Sequence, residues 1–225
     1  MSRTAAVFTA VLLTALGCLL PAAPAAAQQA QDVITVATVT SFGPTVDVPV
    51  YIRDVSGTPL GIDQPPGSRI QSYSIKVDYA PAAAVQSITF TRAGITQSLT
   101  PTLELSPSGP GTVSLLDTFP EATQLIPFTL NAAPPGNQVA HLTVTLAPSA
   151  TPGTTILLTL DATLTQLTDE GGNGATKESV ANGNLLLVPG AINVIAPPAG
   201  VPAMNGWVLA LLAATLAAIA IRIRI

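Results

Sequence analysis

The sequence predicts an all-β protein built as a single antiparallel β-sandwich of the jelly-roll kind. Three observations carry that prediction. Apolar and polar residues alternate with period two in several separate runs, Gly- and Pro-bearing clusters punctuate those runs, and no segment between the two apolar ends shows helical periodicity. Period two marks a strand with one buried face, because successive side chains point to opposite sides of a sheet. Charged residues make up only 9%, against roughly 25% in an average soluble protein. Thr, Ser, Gln and Asn must therefore supply the polar surface, and β-branched Thr suits the open face of a pleated sheet.

The elements follow in order from about Val33. Val46, Val48, Val50 and Ile52 alternate with Asp47, Pro49, Tyr51 and Arg53; Tyr73, Ile75, Val77 and Tyr79 alternate with Ser72, Ser74, Lys76 and Asp78. Further on, Leu142, Val144 and Leu146 alternate with His141, Thr143 and Thr145. Ile156, Leu158, Leu160, Ala162 and Leu164 do so with Thr155, Thr159, Asp161 and Thr163. Between the runs lie Ser56-Gly-Thr-Pro59, Gln64-Pro-Pro-Gly67, Ser106 to Gly111, Ala133 to Asn137, Thr151-Pro-Gly153 and Gly171 to Gly174, which are turn formers. Antiparallel sheets solvated on one face give this pattern. About 160 residues in one such series make one core, with no internal repeat.

Five segments, taken in this order, resemble a cohesin-type domain of the superfamily that also holds several cellulose-binding modules. They are the pair of strands ending near Val46-Asp-Val-Pro-Val50; Tyr73-Ser-Ile-Lys-Val-Asp-Tyr-Ala-Pro81; the hairpin Ala140-His-Leu-Thr-Val-Thr-Leu146 with Pro148 to Thr155; the Asp169-Glu-Gly-Gly-Asn-Gly174 turn; and the closing Val180-Ala-Asn-Gly-Asn-Leu-Leu-Leu-Val188. The resemblance spans about residues 33–190. It implies a non-catalytic module for protein–protein adhesion or scaffolding, with dockerin-type modules on extracellular proteins as the partner class. The Pro-rich insert around Gln64–Gly67 is longer than the family's loop at this place, so no binding-face residues carry over.

Both ends read as targeting segments. Arg3 precedes an apolar run from Ala5 to Leu20, and Ala25-Ala-Ala27 before Gln28 offers the small residues at which a signal peptide is cut. Cys18, the only cysteine, follows Leu16-Gly17 and leaves open a lipoprotein signal. The expected division is a signal peptide at 1–27, the cohesin-like sandwich at 28–192, a Pro/Ala/Gly linker at 193–200 and a tail at 201–225. In that tail Val201, Pro202 and Trp207 precede an apolar stretch, Val208–Ile221, and the basic residues Arg222 and Arg224. Fourteen helical residues reach about 21 Å, short of a hydrocarbon core of roughly 30 Å, which Trp207 and the arginines would extend. The tail resembles the PEP-CTERM and IPTL-CTERM sorting signals of Gram-negative bacteria, and the Pro202 to Trp207 spacing fits the second kind. Val201, Ala203, Met204, Asn205 and Gly206 depart from its usual motif. The resemblance implies sorting or retention at the cell envelope, with the body outside and the C-terminus cytoplasmic before any processing. An ordinary membrane anchor is the alternative.

The body offers little chemistry. His141, the only histidine, falls among threonines on a polar strand face, where a base has nothing to activate. Asp47, Asp54, Asp78, Asp117 and Asp161 fall singly on expected solvent faces or strand ends and read as solubility residues. They do not form the facing pair that glycoside hydrolysis needs. Residues 28–200 hold five bases against twelve acids, a balance that excludes a nucleic-acid partner. No cofactor is expected. Calcium is the metal the residue types suit, with Asp161, Asp169, Glu170 and Asn173 as candidate oxygen ligands near one hairpin. The body has no Trp, and Tyr51 is the one aromatic phased outward, hence the candidate contact for a sugar ring. A carbohydrate-binding module for extracellular polysaccharide is accordingly the alternative function, and matrix material without a specific ligand a third.

Overall fold

The computed structural model describes residues 29–170 and 176–197. The chain opens with β1 (Asp32–Val36), β2 (Thr38–Ser41) and β3 (Thr45–Arg53), and a long loop then leads to β4 (Ser72–Ala80) and β5 (Val85–Arg92). Next come β6 (Leu103–Leu105), β7 (Ser108–Gly109), β8 (Thr112–Thr118) and β9 (Asn137–Leu146). The chain ends with β10 (Thr155–Leu160), β11 (Gln166–Thr168), β12 (Lys177–Ser179), β13 (Leu185–Val188) and β14 (Gly190–Val194). β14 thus carries the sheet beyond residue 192, into the stretch expected as linker.

Two sheets face each other. The smaller runs β13-β1-β3-β9-β5; the larger runs β12-β11-β4-β10-β14-β2, with β8 on the free edge of β4 and β6 and β7 on β8. The expected β-sandwich is the fold observed. Its inner faces are the predicted apolar sets: Val48, Val50 and Ile52 on β3, Ile75 and Val77 on β4, Leu142 and Val144 on β9, and Ile156 and Leu158 on β10 are all buried. One run is shorter than its pattern suggested. β10 stops at Leu160 because the Asp161 carboxylate accepts from the Thr163 and Leu164 N–H groups, folding the chain into a side-chain-closed turn. Ala162 and Leu164 then lie exposed instead of extending the strand.

Most strand pairs are antiparallel, but the first two and last two strands of the described residues lie side by side. β1 pairs β13 in parallel in the smaller sheet, and β2 pairs β14 in parallel in the larger one. Both ends cross from sheet to sheet at one level, the first at Ala37 and the second at Pro189–Gly190. Backbone meets backbone at the crossing. A Cβ on Gly190 would run into the Ala37 carbonyl oxygen and lie 2.6 Å from that of Val36, so only glycine fits.

Gly190→Ala is therefore expected to cost about 1–3 kcal/mol of stability through forced backbone separation. Gly43→Ala, where a Cβ meets nothing within 4 Å, should stay within about 0.5 kcal/mol of the parent. Urea unfolding of the two variants checks the difference.

Candidate docking face and buried carboxyl groups

The outer faces of the two sheets differ in chemistry. On the smaller sheet, Thr89 and Thr91 of β5 stand opposite Thr143 and His141 of β9. These two in turn stand opposite Asp47 and Pro49 of β3. Thr143 donates to Asp47 at 2.6 Å, and His141 Nε2 lies 3.2 Å from Thr91 Oγ1. Tyr51 is half-buried on the same face, opposite Thr35. The face is largely polar and self-bonded, with one aromatic ring and, at its β13 edge opposite Val33, the exposed Leu186.

The larger sheet presents a different surface. Its outer rows are fixed by register: Leu105–Leu116–Ser74 and Leu103–Thr118–Ser72 across β6, β8 and β4, and Leu157–Ala80 across β10 and β4. Leu103, Leu105 and Leu157 are 43%, 51% and 56% exposed. Leu164, 51% exposed, joins them from the turn after β10, whose carbonyl accepts from Ser74 Oγ at 2.9 Å. Between the leucines sits a charged centre. Lys76 Nζ lies 2.9 Å from Asp161 Oδ2 and 3.7 Å from Asp78 Oδ1. The Lys76 hydrogen bond, with the turn N–H groups, holds the Asp161 carboxyl below its ordinary value. Ser74 and Ala80 are six residues apart on β4, about 20 Å along the strand, so apolar ends flank a charged middle over a span that suits a protein contact.

Of the candidate calcium ligands, Asp161, Asp169 and Glu170 lie within the described residues. Asp161 is committed to Lys76 and its own turn. Glu170 accepts from the Glu121 N–H at 2.8 Å. Asn173 lies outside the described residues. Among the described residues no three His, Cys, Asp or Glu side chains are placed to hold a metal ion. Ala25, Ala27, Gln28, Val201, Pro202, Trp207, Arg222 and Arg224 also lie outside the described residues.

Two acids read as solubility residues prove to be interior. Asp117 is buried and accepts from the Tyr73 hydroxyl at 2.7 Å; burial raises its carboxyl to about 6. Asp54 is buried at the end of β3 and accepts from Ile62 N–H. Asp32 and Glu178 complete the interior group at the same end of the sandwich, and nothing in the sequence reading had singled them out. Asp32 Oδ1 accepts from Val55 N–H at 2.7 Å and Glu178 Oε1 from Leu60 N–H at 2.9 Å. The loop after β3 is thus pinned by carboxyl groups from β1, β3 and β12. Asp32 Oδ2 and Glu178 Oε2 lack any other donor, and no ion pair among the described residues reaches them. Burial first, then the adjacent Glu178, push the Asp32 carboxyl up to about 10. Burial raises Glu178 as well. Protonation of one of the two carboxyls would supply the missing donor.

No family model matches the chain, and no curated protein does. Solved structures do. The chain is similar to the third ScaC cohesin of Acetivibrio cellulolyticus, solved in complex with the ScaB dockerin, with a TM-score of 0.52 and 18% identity over 74% of this chain and 100% of that one. It is similar to the CaCohA2 solution structure from Clostridium acetobutylicum, with a TM-score of 0.51 and 21% identity over 74% and 92%. It is similar, too, to the OlpC type I cohesin–dockerin complex of Clostridium thermocellum, with a TM-score of 0.51 and 15% identity over 78% and 100%. The described residues therefore form a cohesin-type β-sandwich.

The shared proton has a pH signature. Asp32 binds it when folded up to about pH 10 and releases it near 3.8 when unfolded, so the folded state holds more protons between these values. Its contribution is complete below the unfolded value and is lost as pH rises toward the folded one. Stability in urea should fall by about 2 kcal/mol or more from pH 5 to pH 9. Asp32→Asn, whose amide supplies a permanent N–H to Glu178, should flatten that slope.

Proposed function

We propose that this chain is an exported, non-catalytic surface protein whose cohesin-type sandwich docks other proteins, with dockerin-type modules as the partner. The observation that carries the reading is the outer face of the larger sheet, where Leu103, Leu105, Leu157 and Leu164 stand exposed around the Lys76, Asp78 and Asp161 centre. Exposed apolar side chains grouped on one face mark an interaction surface. A charged centre sets register and partner choice. Support comes also from the structural neighbours, two of which are recorded in complex with dockerins. The opposite face is mostly polar, with Leu186 at its edge and one tyrosine, a poor stacking platform for a glycan.

The two ends supply the rest of the reading. The N-terminal signal directs export, and the tail with Pro202, Trp207, Arg222 and Arg224 holds or sorts the body at the envelope of a Gram-negative bacterium. The hollow beside the chain's exit is lined by Phe42, Leu146, Pro148, Pro152, Val194 and Ile195, with no titratable side chain among its lining residues.

Binding of the full-length chain to a panel of purified dockerin modules tests the docking reading. At least one module should bind with a Kd in the micromolar range or tighter. Leu105→Asp combined with Leu157→Asp should weaken that binding at least 100-fold, about 2.7 kcal/mol, without changing the urea midpoint. Binding of no dockerin, with retention on a polysaccharide that Tyr51→Ala abolishes, would replace this reading with the carbohydrate-binding one. For the tail, deletion of residues 201–225 should move the body from the envelope fraction to the medium; a deletion that leaves it in the envelope counts against the sorting role.

A further inference from the structure

The loops at the two ends of the sandwich differ in charge. Asp54, Asp63, Arg69, Glu121, Asp169 and Glu170 lie in loops at the end where β1 starts and β3 finishes. At the opposite end, where the described chain leaves β14, the rim is formed by residues 42–44, 81–84, 110–111, 147–154 and 195–197. None of these segments contains Asp, Glu, Lys, Arg or His. Phe42 and Ile195 are 57% and 40% exposed on this rim, and they line the same hollow as Pro148 and Pro152.

The backbone of the rim also makes few demands on water. Pro44, Pro81, Pro110, Pro148, Pro152 and Pro197 bring no N–H group. Several of the N–H groups that remain donate within the rim: Ala84 to Pro81 O, Ala150 to Ala147 O, Gly153 to Val194 O and Ile195 to Ser41 O. Groups already paired lose little when water is withdrawn, whereas unpaired N–H groups keep an ordinary loop out of lipid. The nearest charges stand up the strands. Asp47 is two residues into β3 from Thr45, and Asp78 two residues before the end of β4 at Ala80, each about 7 Å along its strand. Interfacial segments sink roughly 5–10 Å into the boundary between headgroups and acyl chains, so the rim fits that depth while both carboxylates stay on the water side. Their negative sign suits an uncharged lipid surface better than an anionic one.

Where the chain goes next selects the occupant. Pro197 lies at this rim as the last described residue. The apolar stretch Val208–Ile221 begins eleven residues on, no more than about 40 Å away even at full extension. A body tethered so closely turns this end toward the membrane that holds the tail. We propose that the rim around Phe42 and Ile195 rests in the lipid interface, an apolar foot that seats the sandwich on the membrane. The leucine face of the larger sheet then stands at the side, open to a partner. This inference rests on reading residues 201–225 as a membrane-seated tail.

The test uses the exported chain, recovered from the envelope fraction and reconstituted into phosphatidylcholine vesicles. Flotation on a density gradient first reads whether the tail seats it. Cys18, the only cysteine, precedes the expected signal cut. A fluorescent label therefore goes to the introduced thiol alone in Gly43→Cys, beside Phe42 and where a Cβ meets nothing within 4 Å. Lipid carrying a nitroxide high on its acyl chain should quench that label, and aqueous iodide should not. The same label in Ala122→Cys, exposed at the opposite end, should give the reverse. Adding Phe42→Asp should leave the Gly43→Cys label as open to iodide as the Ala122→Cys label, with flotation and the urea midpoint unchanged. A chain that floats while its Gly43→Cys label stays open to iodide would overturn the foot and leave the tail reading standing. A label shielded from iodide yet not quenched by lipid would overturn it as well, because a second copy or another part of this chain then covers the hollow. A chain that does not float would overturn the tail reading and this inference with it.

Discussion

The sandwich depends on one backbone contact, the crossing of its first and last strand pairs between sheets at Ala37 and Gly190. β1 and β13 lie side by side in the smaller sheet, and β2 and β14 lie side by side in the larger. Each end therefore hydrogen-bonds in both layers, and the layers cannot slide or part without breaking ladders in both. Main-chain bonds at the crossing tighten this tie: Ala37 N–H donates to Pro49 O, and Ile195 N–H to Ser41 O. The crossing is close enough to forbid even a methyl group on residue 190. With the ends fixed, β3 and β14 are held in register with their neighbours, and inner and outer faces follow along every strand, since a slip of one residue would exchange them.

That same phase explains what the sequence disclosed and what it withheld. The core was legible because Val48, Val50 and Ile52, or Leu142 and Val144, repeat at the period of a strand and are buried as that period requires. The buried acids obey the identical rule. Asp54 continues the series Val48, Val50, Ile52; Asp117 stands between Leu115 and Phe119; Asp32 precedes Ile34 and Val36. Residue type argued for the surface and phase for the interior, and phase decided, because each carboxyl found donors inside: a tyrosine hydroxyl for Asp117 and loop N–H groups for Asp32 and Asp54. A charge on an apolar phase is itself a signal that an interior partner exists. Glu178 had no comparable signal, since β12 is only three residues long, too short to establish a period. The turn at Asp161 was hidden for another reason. Its side chain closes on the Thr163 and Leu164 N–H groups, and an acid inside an alternating run does not reveal by its position whether it faces water or caps its own backbone.

The exposed leucine face was illegible for a related reason. Leu103 and Leu105 belong to an edge strand too short to establish a period, and Leu157 stands on the same phase as Thr155 and Thr159, where position argues for the outer face and residue type for the interior. Only the pairing of Leu157 with Ala80 and of Leu105 with Leu116 sets them on one outer surface.

The buried acids and the exposed leucines divide the protein between two tasks. Leucines on a solvent face weaken neither the core nor the sheet ladders, but they carry an apolar area that water disfavours by roughly 25 cal/mol for each Å², so their free-energy return comes only when a partner covers them. Carboxyls in an interior do the reverse. They give up hydration on folding and recover it through hydrogen bonds that are specific in direction, which is how three acids from three strands can hold a loop rich in Gly and Pro that has little apolar surface of its own. Of that loop, Leu60 and Ile70 reach the core; the residues between them have only polar anchors. The sandwich thus combines burial at its centre, carboxyl groups at the loop end and exposed leucines on one outer face. A change in the protonation of the loop end can act on the loop while leaving the leucine face, carried by β4, β6, β8 and β10, in its register.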